Sequence, residues 1–158
     1  ELWISDGKET WCETRDKSSK KTLFPVNKSL DEMVLVTSKN HRNQTLQRLI
    51  NNINFKEVIV MGSIGCKIAS ILRGESDIYI SLSLPGQSSP KDWDFAAPEA
   101  ILKAAGGALT NLDNQDLSYG KSNYEKGGII IASNNRENHE DLCLQLKEII
   151  KKNNIFNI

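Results

Sequence analysis

The sequence predicts an α/β protein, a layered mixed sheet with helices on both faces. Three observations carry this expectation. Short apolar, β-branched runs alternate with stretches whose apolar residues recur three and four apart. Glycines close several of the helical stretches, where a chain turns back toward a sheet. At 158 residues the chain is long enough for one sizeable core.

The elements follow in order. Leu2, Ile4, Trp11 and Cys12 flank Asp6-Gly7, a pair suited to the positive φ of a hairpin turn, so 2–13 reads as a β-hairpin. Residues 14–32 are polar and Lys/Ser-rich around Pro25 and read as a connector. The expected division is therefore 1–32, a hairpin and connector left from a preceding domain, and 33–158, an α/β domain. Met33 to Thr37 predicts a buried strand, and Leu46, Leu49, Ile50 and Ile53 a helix over roughly 40–53. Val58 to Met61 predicts a second buried strand, Cys66 to Arg73 a short helix stopped by Gly74, and Asp77 to Leu82 a third strand. Residues 83–92 form a loop and Ala96 to Ala105 a helix. Strands at Ala108–Leu112 and Gly128–Ala132, then a helix through Leu142, Cys143, Leu146, Ile149 and Ile150, complete the order. The chain opens on Glu1-Leu2-Trp3-Ile4, inside an apparent strand, and is expected to be cut from something longer.

Composition narrows the function. Apolar residues at 39% and charged residues at 25% describe a globular protein. A formal net charge of zero argues against a nucleic acid polymer as partner, which needs a basic surface. Cys12, Cys66 and Cys143 are odd in number and widely spaced, which argues for reduced thiols and a cytoplasmic setting. No apolar run approaches membrane-spanning length, so no membrane partner is expected. Asn27-Lys28-Ser29 and Asn43-Gln44-Thr45 match the glycosylation pattern and are read as coincidence.

Three loop-to-helix junctions could carry chemistry. Asp94, in Trp93-Asp94-Phe95-Ala96-Ala97-Pro98, sits where a helix begins and on local grounds reads as a cap facing free backbone N–H groups. Pro98 fits the first helical turn. In Gly62-Ser63-Ile64-Gly65-Cys66-Lys67 a strand ends on a turn that opens a helix, aiming backbone N–H groups forward. Lys67 is unfavourable near a helix N-terminus unless an anion offsets it, although a purely structural turn explains the glycines equally well. At Ser38-Lys39-Asn40-His41, Ser38 or Asn40 reads as a helix cap and His41 as solvent-exposed. His139, in a Glu/Asn-rich helix start, is expected to be solvated.

Trp93-Asp94-x-Ala96-Ala97, followed by Ile101-x-x-Ala104-x-Gly106-Gly107, resembles the C-terminal signature of the inositol-monophosphatase superfamily. The resemblance implies the C-terminal domain of a sugar-phosphatase-like fold, with Asp94 as a Mg2+ ligand. Within the superfamily, the Ser38/His41 and Ser63/Lys67 elements resemble those of bisphosphate nucleotidases. Ser38, His41, Gly62, Ser63, Gly65, Lys67 and Asp94 would then bind substrate, with Gly62 and Gly65 permitting its approach. The implied activity is metal-assisted hydrolysis of the 3′-phosphate of 3′-phosphoadenosine 5′-phosphate or its phosphosulfate. An inositol or sugar monophosphatase, or a non-catalytic nucleotide-binding domain, are the alternatives. Gly127 to Asn134 resembles the family's last strand. The family's upstream Glu-containing motif and Asp-Pro-x-Asp-Gly-Thr/Ser motif do not occur, and Asp6-Gly7-Lys8 does not replace them. The expected partners are a small phosphorylated nucleotide, an N-terminal half of the same protein, and a second copy of the chain in a homo-oligomer. By itself the chain is expected to fold and to be inactive.

Overall fold

The computed structural model describes residues 1–38 and 43–156. Strands β1 (Leu2–Ser5), β2 (Thr10–Glu13) and β3 (Ser18–Lys21) form a three-stranded antiparallel sheet. After a 3-10 turn at Leu30–Glu32 come β4 (Val34–Ser38), α1 (Gln44–Ile53), β5 (Glu57–Met61), α2 (Ile64–Arg73), β6 (Ile78–Ser83), α3 (Asp92–Ala104), β7 (Ala108–Asn111), β8 (Gly128–Ser133) and α4 (His139–Lys152). The second sheet has five strands in the order β5-β4-β6-β8-β7. Its β5, β4 and β6 run parallel, while β8 is antiparallel to both its neighbours.

Strand alternation explains the layers, because successive side chains point to opposite faces. Leu35, Ile78, Ile80, Leu82, Ile129 and Ile131 meet α1 and α4 on one face. Val36, Tyr79, Ile130 and Ala132 meet α2 and α3 on the other. Helices therefore cover both faces of a mixed sheet, as the alternating pattern predicts. The small sheet is anchored to α3: Thr10 Oγ1 donates to Ile101 O at 2.6 Å, and Leu23 N–H to Ala105 O at 2.7 Å. The glycine pair that ends α3 has a reason at each position. Gly106 adopts φ +102, and a Cβ on Gly107 would lie 2.6 Å from Leu102 Cδ1 and 2.7 Å from Ser133 O.

Several elements differ from the sequence expectation. The stretch read as a polar connector contains β3, whose Ser18-Ser19-Lys20-Lys21 has no apolar pattern and is held by backbone pairing to β2. Strand β5 is not buried. It is a sheet edge, and Val58 and Val60 are exposed. The cap of α1 is Asn43 rather than Ser38, its Oδ1 accepting Leu46 N–H at 2.8 Å, and Asn40 lies outside the described residues. Helix α3 starts four residues before Ala96, at Asp92, so Pro98 lies at its seventh position. There it withholds the N–H that would have paired with the Asp94 carbonyl.

His139 is also not solvated. It is 1% exposed, between Thr110 Oγ1 at 2.8 Å from Nε2 and Ser133 Oγ at 2.7 Å from Nδ1. Burial pushes its pKa down to about 4, so it is neutral in the fold.

Candidate active site

The chain runs from β4 outward to β5, and then back past β4 to β6 on its other side. Such a reversal opens a crevice at the carboxyl ends of the strands, where ligands of open α/β sheets bind. A cavity of about 270 Å³ lies there, reached by Ser38 at the end of β4, Gly62 after β5, and Ser81 and Ser83 at the end of β6. Ser63, Lys67 and Asp94 complete one wall.

Two helices begin at this cavity. Ser63 caps α2, its Oγ accepting Cys66 N–H at 3.2 Å. Asp94 lies in the first turn of α3, where its charge faces the positive end of the helix. Its Oδ2 accepts Lys91 N–H at 2.8 Å, and its own N–H donates to Lys91 O at 3.0 Å. Among the described residues, Oδ1 of Asp94 has no hydrogen-bond partner. Nothing within 4 Å would meet a Cβ at Gly62, so the floor of the turn is open to an approaching group.

Lys67 is 1% exposed. Its Nζ donates to Gly62 O at 2.7 Å and stands 5.5 Å from the centroid of the Tyr79 ring. No carboxylate pairs with it among the described residues. Burial therefore pushes its pKa down to about 8. Tyr79 is raised to about 12 by burial, with the nearby hydroxyls of Ser81 and Ser38 pulling it partly back.

Of the residues singled out from the sequence, Ser38, Gly62, Ser63, Lys67 and Asp94 line this one cavity. Gly65 does not. It opens onto an adjacent, more apolar cleft with Cys66, Ala97 and Ile101. His41 lies outside the described residues. Tyr79, Ser81, Ser83, Ser88 and Ser89 also line the cavity and were missed. The period-two pattern Tyr79-x-Ser81-x-Ser83 was the available signal, because it places a polar row on one face of β6.

Among the described residues there is no group of three or more His, Cys, Asp or Glu that could hold a metal ion. What the cavity offers is a single hard carboxylate, partly solvated and with one oxygen free. That fits one ligand position of magnesium, which takes few protein oxygens and keeps several waters. Among the described residues no helix is long and apolar enough to cross a membrane.

Comparison with known proteins adds identity. A family model described as the Inositol monophosphatase family matches residues 2–151. The chain is 34% identical over 106 residues to 3′(2′),5′-bisphosphate nucleotidase 1 of Mus musculus, a match covering 66% of this chain and 33% of that protein. It is 30% identical over 119 residues to the Dictyostelium discoideum protein of the same name, covering 73% of this chain and 37% of that one. The human Golgi-resident adenosine 3′,5′-bisphosphate 3′-phosphatase is 30% identical over 124 residues, covering 74% and 33%. The chain thus spans about a third of the length of these relatives. Among solved structures, Thermotoga maritima IMPase superposes with a TM-score of 0.61 at 20% identity, covering 91% of this chain and 53% of that one. Mycobacterium tuberculosis SuhB gives 0.63 at 17%, covering 89% and 50%.

Proposed function

Because the chain belongs to the inositol monophosphatase family, we propose that the whole protein is a magnesium-dependent phosphatase that removes the 3′-phosphate of 3′-phosphoadenosine 5′-phosphate or its phosphosulfate. The observation that carries this reading is the cavity at the ends of β4, β5 and β6. Among the described residues, one wall holds a carboxylate with a free oxygen, and beside it stands a buried lysine without a carboxylate partner. A ligand that brings its own negative charge and its own metal satisfies both. The choice of a nucleotide is supported by the names of the three curated relatives, two called bisphosphate nucleotidase and one an adenosine 3′,5′-bisphosphate 3′-phosphatase.

In this reading Asp94 is one magnesium ligand. Ser38 and Ser63 donate to the substrate, and the N-terminus of α2 faces a phosphate group. Lys67 meets the phosphate that is not cleaved. The chemistry magnesium supplies in such a site is charge neutralisation on the phosphoryl oxygens and a lowered pKa for the attacking water. The remaining carboxylates belong to an upstream half of the protein, and this chain alone is inactive. The odd set of three free thiols supports a reducing, cytoplasmic setting.

The test is phosphate release by the whole protein, with magnesium, from adenosine 3′,5′-bisphosphate and from inositol monophosphate. Preference for the bisphosphate, with no turnover by this chain alone, is expected. Preference for inositol monophosphate would replace the nucleotide reading with a sugar-phosphate one. Binding without release from either substrate would make the protein a nucleotide-binding module.

A further inference from the structure

A second set of contacts reaches the start of α3 from the chain between β7 and β8. The segment 118–126, between β7 and β8, runs along that turn and is bonded to it residue by residue. Lys126 N–H donates to Pro90 O at 2.8 Å, and Asp92 N–H to Tyr124 O at 2.8 Å. Asp92 Oδ2 accepts Gly120 N–H at 2.6 Å. Lys91 forms an isolated antiparallel bridge with Glu125 and pairs with its carboxylate at 2.7 Å. At the centre is Lys126, 5% exposed. Its ammonium forms an ion pair with Asp92, donates to Ser118 O, and stands 4.3 Å from the Tyr119 ring centroid. Tyr119 in turn donates to Glu99, further along α3.

Three consecutive residues of the α3 entry, Pro90, Lys91 and Asp92, are therefore held by 120–126. Lys91 is the link to Asp94, since its N–H engages Oδ2 while its carbonyl accepts the Asp94 N–H. That reciprocal pair sets which carboxylate oxygen is used by the backbone and which stays free. A buried ion pair adds little net stability over apolar residues of the same volume. What it adds here is a tie between the α3 entry and segment 118–126, because the one ammonium holds both Asp92 and the Ser118 carbonyl.

We propose that Asp92 and Lys126 are positioning residues for Asp94: their ion pair, buried at the ammonium, locks the entry of α3 against segment 118–126 and so fixes the carboxylate that faces the cavity. Neither Asp92 nor Lys126 lines the cavity that Ser63, Lys67 and Asp94 share. The proposal rests on the reading of Asp94 as a magnesium ligand, and its test separates the two.

The whole natural protein is titrated with Mn2+ as a paramagnetic substitute for magnesium, free ion being read from its EPR signal. Amide exchange is followed at Lys91 and Asp94, with Leu102, deeper in α3, as reference. Asp94→Asn first identifies the Mn2+ site that depends on this carboxylate. Lys126→Met and the milder Asp92→Asn each weaken that site about 10- to 100-fold, the range for groups that orient a metal ligand. Both speed exchange at Lys91 and Asp94 about 10-fold or more, with Leu102 little changed. If both variants hold Mn2+ as tightly as wild type while Asp94→Asn loses it, positioning is overturned and the ligand reading stands. Equal acceleration at Leu102 would mean general loosening of the helix, and also overturns positioning. If Asp94→Asn keeps every Mn2+ site, the ligand reading fails and takes the proposal with it.

Discussion

Two lysines are buried in the described part of this molecule, and they are buried differently. Lys67, on α2, is 1% exposed, and Lys126, at the end of the 118–126 segment, is 5% exposed. Each stands near a tyrosine ring, at 5.5 Å and 4.3 Å from the centroid. Lys126 has the Asp92 carboxylate. Lys67 has only the Gly62 carbonyl, and burial holds its pKa down to about 8. Burying an ammonium is costly unless a counter-charge comes with it. Lys126 has its counter-charge in Asp92, whereas in the proposed reading it is a bound anion that completes the Lys67 region. Asp94 lies between them, sharing a cavity with one lysine and a helix turn with the other's partner.

The comparison breaks first if Asp94 is not the centre of both regions. In the whole protein, Asp94→Asn should reduce turnover by roughly 1000-fold, since losing a metal ligand removes several kcal/mol of transition-state stabilisation. Melting should be nearly unchanged, because the amide can still accept the Lys91 N–H that Oδ2 now takes. Steady-state kinetics across magnesium concentration checks this, and near-normal rates at low magnesium would remove the ligand role.

Methionine at each lysine tests the difference directly. Lys126→Met strands the Asp92 carboxylate without its counter-charge and should lower Tm. Lys67→Met strands only a carbonyl and removes an unpaired buried charge, so Tm should hold or rise. Thermal melts of both variants decide it, and equal losses would mean that Lys67 has a counter-charge after all.

Ligand and pH sharpen the Lys67 half. Lys67→Ala should raise KM for the bisphosphate about 10- to 100-fold, the worth of one charge-assisted contact, and change KM for a monophosphate little. For the free protein, the folded pKa of about 8 lies below the ordinary lysine value of 10.5. Between those values the unfolded chain holds more protons than the folded one, so stability rises with pH through that window. Anion binding goes the other way. It needs the ammonium, so KM for the bisphosphate should climb above pH 8 in the wild type and stay flat in Lys67→Ala. A wild-type KM independent of pH from 7 to 9.5 would detach Lys67 from the substrate.

How legible was this in the sequence? The strand-and-helix alternation was, because β4, β6 and β8 carry apolar runs and α1 and α4 carry helical periodicity, signals that arise from burial itself. Strand β3 was not, because Ser-Ser-Lys-Lys is held by backbone pairing and leaves no apolar trace. The start of α3 was misplaced because 83–92 reads as a loop, and what holds Asp92 in place is Gly120 and Tyr124, far along the chain. In the site, Asp94, Ser63 and Lys67 stood out at loop-to-helix junctions, but Tyr79 and Ser81 were hidden inside a strand read for its apolar face. His139 was misread from its charged neighbours. Its burial comes from Thr110 and Ser133, on two other strands. The Asp92–Lys126 pair spans 34 positions, a separation that no local pattern reports.

The smallest expected effect locates the strength of the clasp within the 118–126 segment. Glu125 pairs with Lys91 at 2.7 Å at its rim, with side chains 41% and 32% exposed. Solvent screens such a pair, and holding two long side chains together costs entropy, so it is worth at most about 1 kcal/mol. Glu125→Ala also leaves intact the backbone bonds from Asp92 N–H to Tyr124 O and from Lys126 N–H to Pro90 O. The variant should therefore lose no more than about 1 kcal/mol in denaturant unfolding, with KM and the magnesium requirement essentially those of the wild type. Raising the salt concentration should erase even that difference, because an exposed pair is screened while the buried one at Lys126 is not. If Glu125→Ala instead matches Lys126→Met in stability and in metal dependence, the clasp is held at its rim. Burial of the ammonium would then not be what distinguishes the two lysine regions.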